Sequence, residues 1–304
     1  MYINRLWLKI KYKVQNCFEI DYYKKLNIRY YNEHEQSCYI KNCLHDSIPS
    51  CIGKIGGNEL NSVASRYIKD SKFKKMTFER LCHYAGFFPK EYNEEYYDKY
   101  IDEQIKAISA LDLIIKFPKK YEQYVLKKHK GMNLKCIDAV GSWQQDIPWT
   151  RELAGYRVVV VHPFAGMIEQ QYRRREEIYP NSDVLPEFEL RVVEAVQTIA
   201  ESSDSRFATW FDALDYMFQE IMKEDFDIAL IGCGAYGLPL AAKVKEAGKI
   251  GVHMGGDLQM LFGIRGKRWD DREKAKRWYN DAWVRPGEEY KPEGFDSIEE
   301  GCYW

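Results

Sequence analysis

The chain has 304 residues, with 45 basic and 46 acidic side chains and a formal net charge of −1. Nucleic-acid-binding proteins usually carry a basic excess, so this balance argues against a dedicated nucleic-acid binder. Hydrophobic residues make up 45% and charged residues 30% of the chain, which predicts a packed core beneath a solvated surface. No apolar run approaches the length that a membrane-spanning helix needs, so none is predicted.

The first 45 residues are polar and rich in tyrosine, and we interpret them as a helical N-terminal extension before a single domain over residues 46–304. Basic and apolar residues alternate between residues 5 and 14. Such a segment can dock on the domain as a helix, which we favour, or lie on an anionic membrane surface. It lacks the apolar core of a secretory leader, so we expect a cytoplasmic protein, with the inner membrane face as the alternative location.

Short apolar runs and segments with helical spacing alternate along the rest of the chain. The predicted strands are 50–55, 112–117, 135–140, 157–161, 227–231 and 249–253. The predicted helices are 59–69, 91–110, 119–130, 165–178, 186–200, 210–223 and 236–247. This alternation predicts an α/β fold, a Rossmann-like and mostly parallel sheet with helices on both faces. Ligands of such sheets bind beyond the carboxyl ends of the strands, so the residues that follow each strand are the candidate site.

The first candidate segment follows the strand that ends at residue 55. Gly56 and Gly57 turn the chain, and we expect Asn58 to cap a helix that starts at Glu59. The free N–H groups and the dipole of a helix N-terminus favour a phosphate there. A tight turn with a capping residue is the purely structural alternative.

His162 stands at the end of a strongly apolar strand, where a parallel sheet would present it to the site. Its unperturbed pKa suits acid–base chemistry or a contact with phosphate. A histidine whose hydrogen bonds are satisfied by neighbouring backbone is the alternative interpretation.

A second glycine segment follows the strand that ends at residue 231. Gly232, Gly234 and Gly237 fit the spacing of the dinucleotide fingerprint, with Tyr236 between them. The fingerprint normally follows the first strand of the fold, and its acidic residue normally follows the second. Here Asp257 lies at the expected sequence separation from Gly237, but it follows Gly255-Gly256 at a helix start and not a second strand. A standard NAD site is therefore not expected. The two glycine-rich strand ends instead predict a shared pocket.

The third candidate segment is a glycine-containing basic loop before Trp269. Arg265, Lys267 and Arg268 lie in this loop. Such a loop can hold a diphosphate and stack a base. A solvated basic loop is the alternative, and we favour the functional interpretation because Gly255 and Gly256 lie just upstream.

Together these segments resemble the GT-D-type glycosyltransferases, a family that includes bacterial enzymes extending glycans on surface adhesins and proteins of polysaccharide loci. The resemblance rests on residues 55–60, 231–237, 248–249, 255–256 and 262–269. It implies a UDP-sugar donor and a divalent metal, Mn²⁺ or Mg²⁺. Members carry an Asp-x-Glu motif after the first strand, and the matching positions here are Gly57, Asn58 and Glu59, so the Asp is missing. Either Glu59 holds the metal, alone or with Asn58, or the metal is dispensable and cations such as Arg265, Lys267 and Arg268 neutralise the leaving diphosphate.

The resemblance therefore implies transfer of a sugar from a nucleotide sugar to a glycan, glycopeptide or lipid-linked acceptor. Glu59 would hold the metal or the ribose, and His162 and Asp257 would contact the sugar or activate the acceptor. The candidate ligand-binding residues are Gly56, Gly57, Asn58, Gly232, Gly234, Tyr236, Gly255, Gly256, Arg265, Lys267 and Arg268. The alternatives are another Rossmann-type enzyme, using a nucleotide or S-adenosylmethionine, and a non-catalytic nucleotide-sugar-binding protein in polysaccharide assembly.

Overall fold

Eight parallel strands form one sheet in a computed structural model that describes residues 5–17, 21–117, 119–200 and 202–304. The strands are β1 (Arg29–Tyr30), β2 (Ser50–Gly53), β3 (Leu113–Ile115), β4 (Lys135–Ile137), β5 (Arg157–His162), β6 (Glu189–Glu194), β7 (Ile228–Ile231) and β8 (Ile250–His253). Their order across the sheet is β1-β4-β3-β2-β8-β7-β5-β6. The central strands β2 and β8 are paired from Ser50 with Ile250 to Gly53 with His253, so both end at the same edge.

Helices cover both faces of this sheet. They are α1 (Arg5–Cys17), α2 (Tyr22–Lys25), α3 (Glu33–His45), α4 (Gly57–Ser65), α5 (Ser71–Ala85), α6 (Glu94–Ala110), α7 (Glu122–His129), α8 (Ala165–Tyr172), α9 (Arg175–Ile178), α10 (Trp210–Lys223), α11 (Gly237–Glu246), α12 (Asp257–Leu261), α13 (Lys267–Asp270) and α14 (Glu273–Lys276). Successive strand residues belong to opposite cores, with Val159 and Val161 in one and Val158 and Val160 in the other. This arrangement confirms the predicted α/β fold, since a strand buried on both faces reads as a continuous apolar run.

The predicted helix over 186–200 is wrong, because this segment contains strand β6. Leu190 and Val192 are half-buried, while Glu189 and Arg191 between them are exposed. This period of two is typical of a strand with one covered face. β6 lies at the edge of the sheet and pairs with β5 alone, which explains its polar residues. The two-residue strand β1 and helix α5 were not predicted.

The predicted N-terminal extension is helical and also belongs to the sheet. Helix α1 docks through buried Leu8 and through Arg5, which pairs with Asp70 at 3.1 Å and lies 4.2 Å from the centre of the Phe73 ring. Strand β1 then pairs with β4 at the sheet edge. The other side of α1 exposes Trp7, so contact with an anionic membrane stays a prediction that sedimentation with anionic vesicles would test.

None of the helices in the described ranges is both long and apolar enough to cross a membrane.

A buried carboxyl group links the N-terminal region to the segment after β3. Glu122 is fully buried and accepts hydrogen bonds from the hydroxyls of Tyr22 and Tyr23, the latter at 2.7 Å. The Tyr23 hydroxyl also accepts the N–H of Phe117 at 3.1 Å. The second oxygen of Glu122 has no hydrogen-bond partner among the described residues. Burial raises the pKa of Glu122 to about 7.

We expect Glu122→Gln to make the free energy of unfolding less dependent on pH. The raised pKa means that the folded state keeps a proton that the unfolded state has lost, so stability falls as pH rises from the usual value of 4.5 to about 7. Glutamine still accepts the tyrosine hydrogen bonds but does not ionise. Urea unfolding at pH 5 and pH 8 should show that the free energy of unfolding of the variant, relative to that of the wild type, is higher at pH 8 than at pH 5. The exposed Glu79→Gln serves as the control, and an equal gain in that variant would contradict the assignment.

Candidate functional site

A cavity of about 720 Å³ opens at the carboxyl edge of the sheet, beyond the ends of β2, β5, β7 and β8. Its volume lies within the range of pockets that hold a small molecule or cofactor. Eleven of the predicted site residues line it: Gly56, Gly57, Asn58, Glu59, His162, Gly232, Gly234, Tyr236, Gly255, Gly256 and Arg268. The tertiary structure therefore brings together segments that are up to about 200 residues apart in the sequence.

The fingerprint glycines provide close packing between the strand ends. A Cβ on Gly232 would lie 2.8 Å from the carbonyl oxygen of Gly255 and 2.9 Å from a carbon of the His162 ring. A Cβ on Gly237 would lie 2.1 Å from Nδ1 of His253. Gly234 has a φ of +55°, which favours glycine. Packing and backbone conformation thus account for the spacing without a dinucleotide.

Tyr236 reaches the cavity from the core. Its ring stacks on Trp210 with centroids 4.8 Å apart and an interplanar angle of 7°. Its hydroxyl lies 3.3 Å from Oγ1 of Thr198, which also lines the cavity. The tyrosine therefore forms a fixed part of the cavity wall.

His162 is held as a neutral hydrogen-bond donor. Its side chain is 5% exposed, and Nδ1 accepts the N–H of Phe164 at 3.0 Å. Because Nδ1 is an acceptor, the neutral ring carries its proton on Nε2. Burial lowers the pKa of His162 to about 3. This geometry favours donation to a ligand over proton abstraction.

His253, at the end of β8, also lines the cavity and was not predicted as a site residue. Burial, and secondly the charge of Lys54, lower its pKa to about 3. Nδ1 of His253 is buried without a hydrogen-bond partner among the described residues. Its place after the apolar run 250–252 is the same signal that pointed to His162, so the sequence could have revealed it.

Glu59 lies in the first turn of α4. That helix begins at Gly57 with Gly56 as its N-cap, so Asn58 is not the cap that we predicted. The Glu59 carboxylate folds back over Gly56, where an added Cβ would lie 2.1 Å from Oε2. Burial raises the pKa of Glu59, while its own N–H, the charge of Lys54 and the N–H of Asn58 oppose that rise. Glu59 is therefore a half-buried carboxyl group within the cavity wall.

Three predicted residues do not line the cavity. Asp257 instead accepts a hydrogen bond from Nε2 of Gln144 at 3.3 Å, and burial raises its pKa. Arg265 lies 3.4 Å from a carboxylate oxygen of Asp270. Lys267 donates to the carbonyl of Glu300 at 3.0 Å. The basic loop therefore contributes Arg268 alone among its predicted cations.

Arg268 is fixed at the cavity wall by two neighbours. Its NH1 group donates to the hydroxyl of Tyr303 at 2.9 Å, and it forms an ion pair with Glu299. The guanidinium carbon also lies 4.4 Å from the centre of the Tyr303 ring. This fixation orients the cation without the flexibility of a solvated arginine.

Five further cations line the cavity and were not predicted as site residues. They are Arg5, Lys54, Arg80, Lys119 and Lys120. Among the described lining residues, six cations including Arg268 thus face two carboxylates, Glu59 and Glu299. Arg5 is paired with Asp70 and Arg268 with Glu299, which leaves four lining cations against Glu59 among the described residues. A concave wall with this excess of positive charge attracts an anionic ligand. Lys54 lies at the end of the predicted strand 50–55, just before the first glycine turn, so the sequence could have singled it out. Arg5 and Arg80 come from α1 and α5, and Lys119 and Lys120 come from the segment between β3 and α7.

The donor set does not provide the metal site that the resemblance implies. Within the described ranges, no group of three or more His, Cys, Asp or Glu side chains could hold a metal ion. A metal that binds with a diphosphate usually has one or two carboxylate ligands. Glu59 is the one carboxylate in the matching segment, its raised pKa opposes ionisation, and Lys54 places a positive charge near it. The divalent metal stays a prediction from the resemblance.

No family model, curated protein or solved structure matches this chain. The fold itself is a parallel α/β sheet, and such folds host many unrelated activities. Support for a function therefore comes from the residues of the cavity.

Proposed function

We propose that the protein is a glycosyltransferase that transfers a sugar from a nucleotide sugar, with UDP as the nucleotide, to a hydroxyl of a glycan, glycopeptide or lipid-linked acceptor. The observation that carries this proposal is the excess of cations around a glycine-lined cavity at the carboxyl edge of a parallel sheet. Glycines let the backbone approach the phosphates closely, and the cations offset their charge.

The cavity has room for the nucleotide and for the sugar of such a donor. Its volume of about 720 Å³ exceeds what a phosphate group alone would fill. The diphosphate would lie near Lys54 and Arg268, which line the same cavity as the glycine ends of β7 and β8. His162 Nε2–H would donate to an oxygen of the bound ligand.

The proposed reaction breaks the bond between the anomeric carbon of the sugar and the phosphate oxygen, and the electron pair leaves with the phosphate. A new bond forms between that carbon and the acceptor oxygen, whose proton passes to the Glu59 carboxylate. The cations of the wall stabilise the charge that develops on the leaving phosphate. Burial raises the pKa of Glu59, which makes its carboxylate a stronger base than an ordinary glutamate side chain.

A thermal-unfolding comparison of UDP, NAD and S-adenosylmethionine tests the donor class. A ligand that binds the native state raises the apparent stability, by about 2.7 kcal/mol at a concentration 100 times its Kd. We expect UDP to raise the midpoint and the other two to leave it unchanged. Stabilisation by NAD or S-adenosylmethionine instead would contradict the proposal and favour another Rossmann-type enzyme.

A turnover assay then separates an enzyme from a binding protein. Release of UDP from a panel of UDP-sugars, with and without oligosaccharide acceptors, should depend on the acceptor. Binding of UDP without release across the panel would reject transfer and favour a non-catalytic nucleotide-sugar-binding protein.

A further inference from the structure

Lys54 lines the cavity where the two middle strands, β2 and β8, end side by side. It follows β2, and its side chain passes over Gly255 at the end of β8. A Cβ on Gly255 would lie 3.0 Å from Cε and 3.2 Å from Nζ of Lys54. The left-handed φ of +59° and the absence of a side chain at Gly255 thus make room for this lysine.

The ammonium group of Lys54 acts on several titratable groups at once. Burial raises the pKa of Glu59 and of Asp257 and lowers that of His253. The Lys54 charge opposes the rise at the two carboxyl groups and adds to the fall at the histidine. Among the described residues Lys54 forms no ion pair, in contrast to Arg268, which is paired with Glu299. Its positive charge is therefore available to a ligand in the cavity.

The same location disfavours a divalent cation. Glu59 is turned back onto the N–H groups at the start of its own helix, and no second carboxylate stands at Gly57. A metal ion bound to Glu59 would have to share this wall with the Lys54 ammonium, and like charges repel.

We propose that Lys54 takes the place of the divalent cation, so that the cavity binds the diphosphate of its ligand without metal. This inference rests on the proposed function for the identity of the nucleotide. A lysine ammonium is a compact point charge with three donors, which suits phosphate oxygens. Arg268 supplies a second, fixed cation from the C-terminal segment.

Calorimetric titration of the full-length protein with UDP, in EDTA and in Mn²⁺, tests the inference. We expect equal affinity in both conditions for the wild type. Lys54→Met keeps most of the stem but removes the charge, and it should weaken UDP binding by about 10- to 100-fold, the value of a charge-assisted hydrogen bond. Lys54→Arg keeps the charge and should bind UDP more tightly than Lys54→Met. Inorganic pyrophosphate should compete with UDP in EDTA.

Lys223→Met is the matched control. Lys223 ends α10, before β7, and therefore lies at the opposite edge of the sheet, where it pairs with Glu220. The Lys223→Met substitution removes the same charge as Lys54→Met. It should change the UDP affinity by less than about twofold, because exposed distant charges are screened. Thermal unfolding of each variant in the absence of UDP verifies that it is folded.

The outcomes separate this inference from the proposed function. UDP binding that requires Mn²⁺ would overturn the role of Lys54 and leave the nucleotide-sugar site in place. Metal-free binding that Lys54→Met does not weaken would overturn it as well. The absence of UDP binding under both conditions would overturn the inference together with the function on which it rests.

Gly57→Asp provides a converse test. A Cβ at Gly57 has no neighbour within 4 Å, and a carboxylate in the first turn of α4 is electrostatically favoured. The substitution restores the missing Asp and should make UDP binding about tenfold tighter in Mn²⁺ than in EDTA. Equal affinity in both conditions would contradict the argument that the absent carboxylate explains metal-free binding.

Discussion

Replacing Glu59 by glutamine is expected to lower the rate of sugar transfer by about two to four orders of magnitude, the usual contribution of a general base. Glutamine keeps the size of the side chain and can still accept the N–H groups of Asn58 and residue 59. It cannot accept a proton at working pH. UDP affinity should therefore change little, while transfer is lost.

The pH dependence gives an independent readout of the same group. Burial raises the pKa of Glu59, and a base must be deprotonated to act, so the wild-type rate should rise with pH through that raised pKa. The residual rate of Glu59→Gln should lack this rise.

Glu246→Gln is the control for this substitution. Glu246 is exposed at the end of α11, at the opposite edge of the sheet. An unchanged transfer rate in Glu59→Gln would reject the assignment as base. Loss of UDP binding in that variant would make Glu59 a donor-binding residue instead.

The second large effect concerns stability. Trp210→Ala is expected to lower the free energy of unfolding by about 3–5 kcal/mol, the usual cost of removing a large aromatic side chain from a core. Trp210 is fully buried, stacks on Tyr236 and packs against Tyr100 with centroids 5.1 Å apart. The void left by the tryptophan would also remove the ring on which Tyr236 stacks. UDP binding should therefore weaken in the folded variant.

Urea unfolding of two further variants sharpens this result. Trp210→Phe keeps an aromatic ring, and Nε1 of Trp210 has no hydrogen-bond partner among the described residues, so the loss should be smaller. Met222→Ala removes a 36% exposed side chain from the same helix and should change stability by less than about 0.5 kcal/mol. A loss in Trp210→Ala as small as that of Met222→Ala would show that the aromatic stack does not hold the cavity wall.

Much of the sheet could be predicted from local sequence. Strand β7 is aliphatic throughout and β5 carries four consecutive valines between Arg157 and His162, because both faces of these strands are covered. Their carboxyl ends then located His162 and Gly232 in advance, since ligands of parallel sheets bind there. Strand β6 was predicted as a helix because the mixture of charged and apolar residues in an edge strand is also compatible with an amphipathic helix.

Which basic residues line the cavity was harder to predict from the sequence. Lys267 and Arg268 are adjacent in the sequence and were equally plausible ligands, yet Lys267 turns to the carbonyl of Glu300 and Arg268 reaches the cavity. Side-chain direction on a one-turn helix depends on what packs against it. A basic loop by itself therefore does not reveal which of its cations meets a ligand.

Apart from β1, β6 and α5, the sequence alone determined most of the alternation of strands and helices and the glycine turns at the strand ends. Strand propensity, apolar periodicity and backbone freedom are local properties. The tertiary structure decided which charges share the cavity. Arg5 reaches it from the first helix, and Lys119 from the segment after β3, although neither follows a glycine turn. Their meeting depends on how α1 docks and on how the strands are ordered, and these are set by packing between residues far apart in the chain.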